Sequence, residues 1–160
     1  MVYNNENIRK YTVEAISYLF ILLFVYAGFT KLLEGDRFYN NLNNSPLVGV
    51  KSIAGIAAWS IPALEILVAV LLTWTKTRLK GLYATLGLMI LFTIYVAGIL
   101  FVSPYTPCSC GGVITLLTWN QHFIFNIIWI VLAILGIILF RKQDKIKNSK
   151  LSNYHWSEPY

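Results

Sequence analysis

The chain has 160 residues, of which 57% are hydrophobic and 12% are charged, and its formal net charge is +6. This balance excludes an ordinary soluble domain, in which about 25% of residues are charged. Most of the basic residues flank apolar segments, where they set orientation in a membrane, so the positive charge does not indicate nucleic-acid binding. We therefore expect an integral membrane protein in contact with the lipid bilayer.

Four apolar runs predict four transmembrane helices, at residues 13–33, 53–74, 81–102 and 123–140. Each run is close to the ~20 residues that cross a ~30 Å hydrocarbon layer. Because backbone polar groups in lipid must be satisfied within their own segment, we expect an all-α four-helix transmembrane bundle with short loops. The predicted organisation is a flank at 1–12, the transmembrane domain at 13–140 and a basic tail at 141–160.

The positions of lysine and arginine predict the orientation. They precede the first run, fill the turn between the second and third, and follow the fourth, whereas the segment from Ser103 to His122 has no charged residue of these types or carboxylate. Positively charged flanks stay on the cytoplasmic side. We therefore expect both termini in the cytoplasm of a bacterial-type inner membrane, with the 103–122 loop on the outer, periplasmic face.

The first outer segment, after the first run, reads EGDRFYNNLNNSPLVGV. It is rich in asparagine and contains Pro46 and Gly49, a composition typical of turns and surface loops. We expect an irregular loop here, with Phe38 and Tyr39 resting on lipid head groups.

The second outer loop holds the only two cysteines of the chain, Cys108 and Cys110. A disulfide between them closes a very small ring, which restrains the unfolded chain little, so a structural staple is disfavoured. A metal site needs more ligands than the loop supplies, since only His122 accompanies the sulfurs. A copper(I) site shared with a partner, and inert thiols, remain alternatives. Strained, exposed disulfides exchange readily, so reversible thiol/disulfide chemistry is the main expectation.

Glu65 is the principal polar residue within the apolar runs. It lies roughly 18 Å from the start of its run at the rise of an α-helix, near the middle of a bilayer, where charge is costly. It could be a hydrogen-bonded packing residue, a proton relay or a contact for a quinone. Lys31, near the outer end of its run, is expected to extend to the head groups. Because the two depths differ by about 10 Å or more, a direct Lys31–Glu65 ion pair is not expected.

Two polar residues follow the cysteine loop. His122 is a candidate base for the thiols, because histidine exchanges protons near neutral pH, and a structural role is the alternative. Asn126, one turn further along, is expected to form an interhelical hydrogen bond.

Three segments together resemble a known family. YAGFTKLLEGDRFYNNL, IPALEILVAVLL and TPCSCGGVITLLTWNQHFIFN are similar to the MauE and DoxX-like membrane proteins. The resemblance implies a four-helix inner-membrane protein associated with redox or disulfide handling, often beside thioredoxin-like partners. It places the family's C-x-C at Cys108 and Cys110, its helix 1 lysine at Lys31 and its proline–glutamate pair at Pro62 and Glu65.

The leading functional prediction is a thiol/disulfide oxidoreductase that uses Cys108 and Cys110. It would exchange electrons with a thioredoxin-like or other periplasmic protein, with a quinone as a candidate second carrier and no metal. The alternative is a non-enzymatic scaffold or assembly subunit for a periplasmic partner. A third class, a small transporter or proton-conducting protein, would depend on Glu65.

Overall fold

The computed structural model describes residues 2–45, 51–102 and 118–155, and the secondary structure of these segments is helical. The helices are α1 (Val2–Leu33), α2 (Gly35–Asn43), α3 (Lys51–Thr73), α4 (Arg78–Val102) and α5 (Trp119–His155). The prediction of an all-α fold is confirmed.

Four helices are long and apolar enough to cross a membrane: Asn7–Leu33, Ile53–Thr73, Arg78–Phe101 and Trp119–Lys147. They correspond to the four predicted runs. The first helix begins earlier, and the last ends later, than hydrophobicity indicated. No proline or glycine interrupts residues 2–12 or 141–155, so the polar flanks continue the helices.

The four long helices form a closed ring. α1 packs against α3 and α5, and α4 packs against the same two helices. Helices that follow one another in the chain are therefore neighbours, as in an up-and-down bundle. The core between them is apolar; its buried members include Phe20, Phe24, Val68, Leu72, Leu82, Met89, Ala133 and Ile137. Many large apolar side chains face outward, which suits a lipid environment.

The turn between α3 and α4 is tightly packed. A Cβ on Gly81 would lie 3.0 Å from the backbone nitrogen of Leu72, so this position accommodates only glycine without a shift. The guanidinium of Arg78 lies 3.9 Å from the Glu14 carboxylate. This ion pair connects the turn to the first half of α1.

The segment after the first apolar run is not the irregular loop that its asparagine content indicated. Residues Gly35–Asn43 form α2, which packs against α3. Phe38 and Leu42 are buried with Ala54, so the expectation that Phe38 rests on head groups is wrong. The physical reason is that two apolar residues four apart share one helix face and find an apolar surface on the first turns of α3. Pro46 and Gly49 lie outside the described residues.

Candidate functional site

α1 and α3 approach each other closely at Gly28. A Cβ on Gly28 would lie 3.1 Å from Cγ1 of Ile66, 3.3 Å from the carbonyl oxygen of Pro62 and 3.5 Å from Cβ of Glu65. The missing side chain therefore lets α1 lie against the turn of α3 that carries Glu65. Lys31 follows Gly28 by three residues, which places it on the same face of α1.

Lys31 and Glu65 form a buried ion pair, with Nζ 2.6 Å from Oε1. Their side chains are only 11% and 1% exposed. The expectation that these residues do not meet is wrong. The expectation counted depth along each helix separately and did not include α2, which packs beside the first turns of α3. α1 therefore ends level with the middle of α3, and Lys31 points into the bundle.

Aromatic rings and a carbonyl complete the surroundings of the Lys31 ammonium. Nζ lies 5.9 Å from the ring centroid of Phe38 and 5.6 Å from that of Phe92, within the range of cation–π attraction. It also donates a long hydrogen bond of 3.4 Å to the carbonyl of Ala27. Residues of α1, α2, α3 and α4 thus converge on one ammonium group.

The ion pair leaves one acceptor unused in the part of the chain that the structure describes. Oε2 of Glu65 is buried and has no hydrogen-bond partner there. Buried polar atoms are nearly always hydrogen-bonded, and removing one partner of a buried pair costs several kcal/mol. The carboxylate therefore neutralises Lys31 through Oε1 and retains accepting capacity inside the bundle.

His122 is positioned by the first turn of α5. The backbone N–H of Thr118 donates to Oε1 of Gln121 at 2.9 Å, and the N–H of Gln121 donates to Oγ1 of Thr118 at 3.4 Å, a reciprocal cap. His122 is partly buried, and its Nδ1 has no partner among the described residues. Of the three predicted supporting residues, the structure therefore brings Lys31 and Glu65 into direct contact, while His122 lies in the first turn of α5.

Cys108 and Cys110 lie outside the described residues, so their role stays a prediction. α4 ends at Val102 and α5 begins at Trp119. The rings of Phe101 and Phe123 are 6.5 Å apart, so these two helix ends are adjacent. The segment that carries the cysteines is thus attached at both ends close to His122.

Asn126 was the other polar residue expected to form a hydrogen bond between helices. Asn126 is buried, but its Nδ2 finds no partner within the described segments, so the expected interhelical bond from this atom is not formed there.

Sequence reasoning missed Phe38 and Phe92 as neighbours of Lys31, since nothing distinguishes them from other aromatic residues in apolar runs. Within residues 2–45, 51–102 and 118–155, no group of three or more His, Cys, Asp or Glu side chains is placed to hold a metal ion.

A ring of four apolar helices around a buried lysine–glutamate pair defines a small multi-pass membrane protein with a polar site between its helices. The family model described as "Methylamine utilisation protein MauE" matches residues 9–139, most of the chain. The chain belongs to the MauE family, and the matched region includes Lys31, Glu65 and both cysteines. No curated protein and no solved structure gives a significant match.

Proposed function

We propose that this protein takes part in thiol/disulfide exchange through Cys108 and Cys110 at the periplasmic face of an inner membrane. The partner is a thioredoxin-like or other periplasmic protein. The supporting observations are that the bundle buries the Lys31–Glu65 ion pair between its helices and that the cysteine segment joins α4 to α5 beside His122. Ionisable residues at membrane depth are costly and usually functional, which favours chemistry over a purely structural scaffold.

The length of chain that joins the cysteines to the ends of α4 and α5 limits where the sulfurs can act. Cys108 follows Val102 by six residues, and Cys110 precedes Trp119 by nine. At about 3.5 Å per extended residue, Cys108 stays within about 21 Å of the end of α4. Both thiols therefore remain near the outer end of the bundle, within reach of a partner that docks there.

The exchange balances without a metal. A thiolate of the C-x-C attacks the disulfide of the partner, a mixed disulfide forms, and one partner thiolate leaves. The second cysteine then attacks its neighbour's sulfur and releases the other partner thiolate. Two electrons pass from the C-x-C to the partner, and the reverse sequence oxidises a partner dithiol. In this scheme His122 accepts and returns the thiol proton.

The family description refers to methylamine utilisation. We propose such a system as the setting of this exchange, with no particular substrate assigned. The charge pattern of the flanks supports the inner-membrane orientation on which it depends.

The test is the redox state of Cys108 and Cys110 in intact membranes. Thiols are trapped with acid and tagged with a mass-increasing maleimide, before and after addition of reductant or oxidant. We expect the pair to switch between zero and two tags. Of the Cys108→Ser and Cys110→Ser single variants, the one that lacks the resolving cysteine should accumulate a mixed disulfide with a periplasmic protein. The one that lacks the attacking cysteine should form none.

The Cys108→Ser/Cys110→Ser double variant is the matched control, and its thermal unfolding midpoint should equal that of the wild type. A pair whose tagging never changes would overturn the redox proposal. If the double variant still forms a normal complex with its partner, the result would instead support the alternative function as a scaffold.

The role of His122 has a separate test in the rate at which the thiols react with a soluble disulfide between pH 6 and 9. His122→Gln should slow the reaction near neutral pH and less so at high pH, where hydroxide removes the proton. Asn120→Ala, an exposed substitution in the same turn of α5, is the control. Identical pH profiles for His122→Gln and wild type would remove His122 from the proposed chemistry.

A further inference from the structure

A cleft opens beside the ion pair, between the end of α1, α2 and the first turns of α3. Its volume is about 290 Å³, close to the lower end of the range for small-molecule sites. The lining residues are Lys31, Leu32, Gly35, Asp36, Tyr39, Gly55, Ala58 and Trp59. The cleft exists because three of these positions carry little or no side chain. A Cβ on Gly35 would meet nothing within 4 Å, and one on Gly55 would meet only Tyr39, at 3.9 Å.

Lys31 is the lining residue of the cleft that carries hydrogen-bond donors at the end of a long side chain. An ammonium group has three N–H donors. Glu65 accepts one at 2.6 Å and the carbonyl of Ala27 accepts another at 3.4 Å. These two acceptors use two of the three donors, which leaves the third for a ligand that reaches the ammonium from the cleft that Lys31 lines. Since Glu65 already neutralises the ammonium, that ligand need not carry a charge.

The other lining residues select the shape and charge of a ligand. Tyr39 and Trp59 provide aromatic surface, which stacks well on flat rings. Asp36 places a carboxylate in the same lining and disfavours an anionic group. The cleft therefore suits a neutral, flat head group with a carbonyl oxygen.

The position of the cleft suits a ligand that arrives from the membrane. Gly55, Ala58 and Trp59 belong to the first turns of the candidate span Ile53–Thr73. Trp59 is 74% exposed, so the cleft borders the outer surface of the bundle. An amphiphile with an apolar tail can reach this surface without leaving the lipid.

We propose that this cleft binds the head group of a membrane quinone, with a quinone carbonyl accepting a hydrogen bond from Lys31. Binding stands independently of the cysteines. The electron-transfer role rests on the proposed function: a C-x-C dithiol that becomes a disulfide releases two electrons and two protons, and a quinone takes up both to become a quinol.

The experiment measures binding of a short-chain ubiquinone to the purified full-length protein in detergent, by isothermal titration calorimetry. Gly55→Leu fills the cleft and should weaken binding about tenfold or more, which corresponds to about 1.4 kcal/mol. Gly87→Leu is the matched control, because Gly87 is also a helix glycine with room for a side chain, a Cβ there meeting nothing within 4 Å, but it does not line the cleft. It should bind within about twofold of wild type by the same measure.

Two further variants test whether binding depends on the Lys31 donor and whether it depends on the cysteines. Lys31→Met/Glu65→Gln removes the donor without leaving a lone charge and should also weaken binding, while Cys108→Ser/Cys110→Ser should bind normally. If Gly55→Leu fails to fold, Ala58→Leu blocks the cleft from the next turn. Wild-type affinity in a folded, cleft-filled variant would overturn the inference. Equal binding of an alkyl phosphate, lost in the same variant, would also overturn it by indicating an anionic lipid head group.

Discussion

The bundle has an ion pair between helices towards each end, and the two differ in burial and geometry. Towards one end, Lys31 and Glu65 lie 2.6 Å apart with side chains 11% and 1% exposed. Towards the other, Arg78 and Glu14 lie 3.9 Å apart with 11% and 30% exposed. A buried charge depends on its partner, whereas a partly exposed charge is also stabilised by water. The comparison indicates that the Lys31–Glu65 pair forms a specialised site, whereas the Arg78–Glu14 pair connects the α3–α4 turn to α1.

The largest effect should follow from breaking the buried pair. Lys31→Met or Glu65→Gln leaves one charge without its partner inside the bundle, which should reduce the free energy of unfolding by about 3–5 kcal/mol. The Lys31→Met/Glu65→Gln double variant should lose less than either single variant, because no lone charge remains. Tryptophan fluorescence during unfolding in detergent measures all three. Additive losses in the double variant would show that the two residues do not act as a pair.

Glycines near the two ends should respond differently to the same small substitution. Gly81→Ala brings a methyl group against the backbone of Leu72 at 3.0 Å and should cost about 1–3 kcal/mol. Gly28→Ala should cost less, because its contacts are slightly longer, at 3.1 Å to Cγ1 of Ile66 and 3.3 Å to the carbonyl oxygen of Pro62. Thermal unfolding midpoints measure both.

Gly87→Ala is the control for the glycine comparison, since the space around Gly87 is open. It should raise stability by about 0.5–1 kcal/mol through helix propensity alone. A larger loss for Gly28→Ala than for Gly81→Ala would contradict the packing that the structure shows at the α3–α4 turn.

The smallest effect should come from the Arg78–Glu14 pair. A double-mutant cycle with Arg78→Gln and Glu14→Gln should give a coupling energy below about 1 kcal/mol, because the pair is long and Glu14 is partly exposed. Salt should reduce it further. Unfolding measured at low and high ionic strength tests this, and a coupling as large as that of Lys31 with Glu65 would remove the distinction between the two ends.

Sequence reasoning found most of the site residues but not their arrangement. Lys31 and Glu65 stood out because charges are rare in apolar runs, and His122 because it follows the cysteines. The contact between Lys31 and Glu65 was missed because α2 was read as a loop. Its asparagines indicated turns, while the pairing of Phe38 with Leu42 on one helix face was the signal that would have predicted a helix. Phe92 offered no comparable signal, since its role depends on the position of another helix.

The four spanning helices and their approximate limits follow from the chain itself, because hydrophobic length and the need to satisfy the backbone in lipid are local properties. The contact between Lys31 and Glu65 is of another kind. It requires the close approach at Gly28 and a short helix that occupies the space beside the first turns of α3. Distances between helices depend on how whole surfaces fit together, so only the packed bundle decided that two separate charges became one buried site.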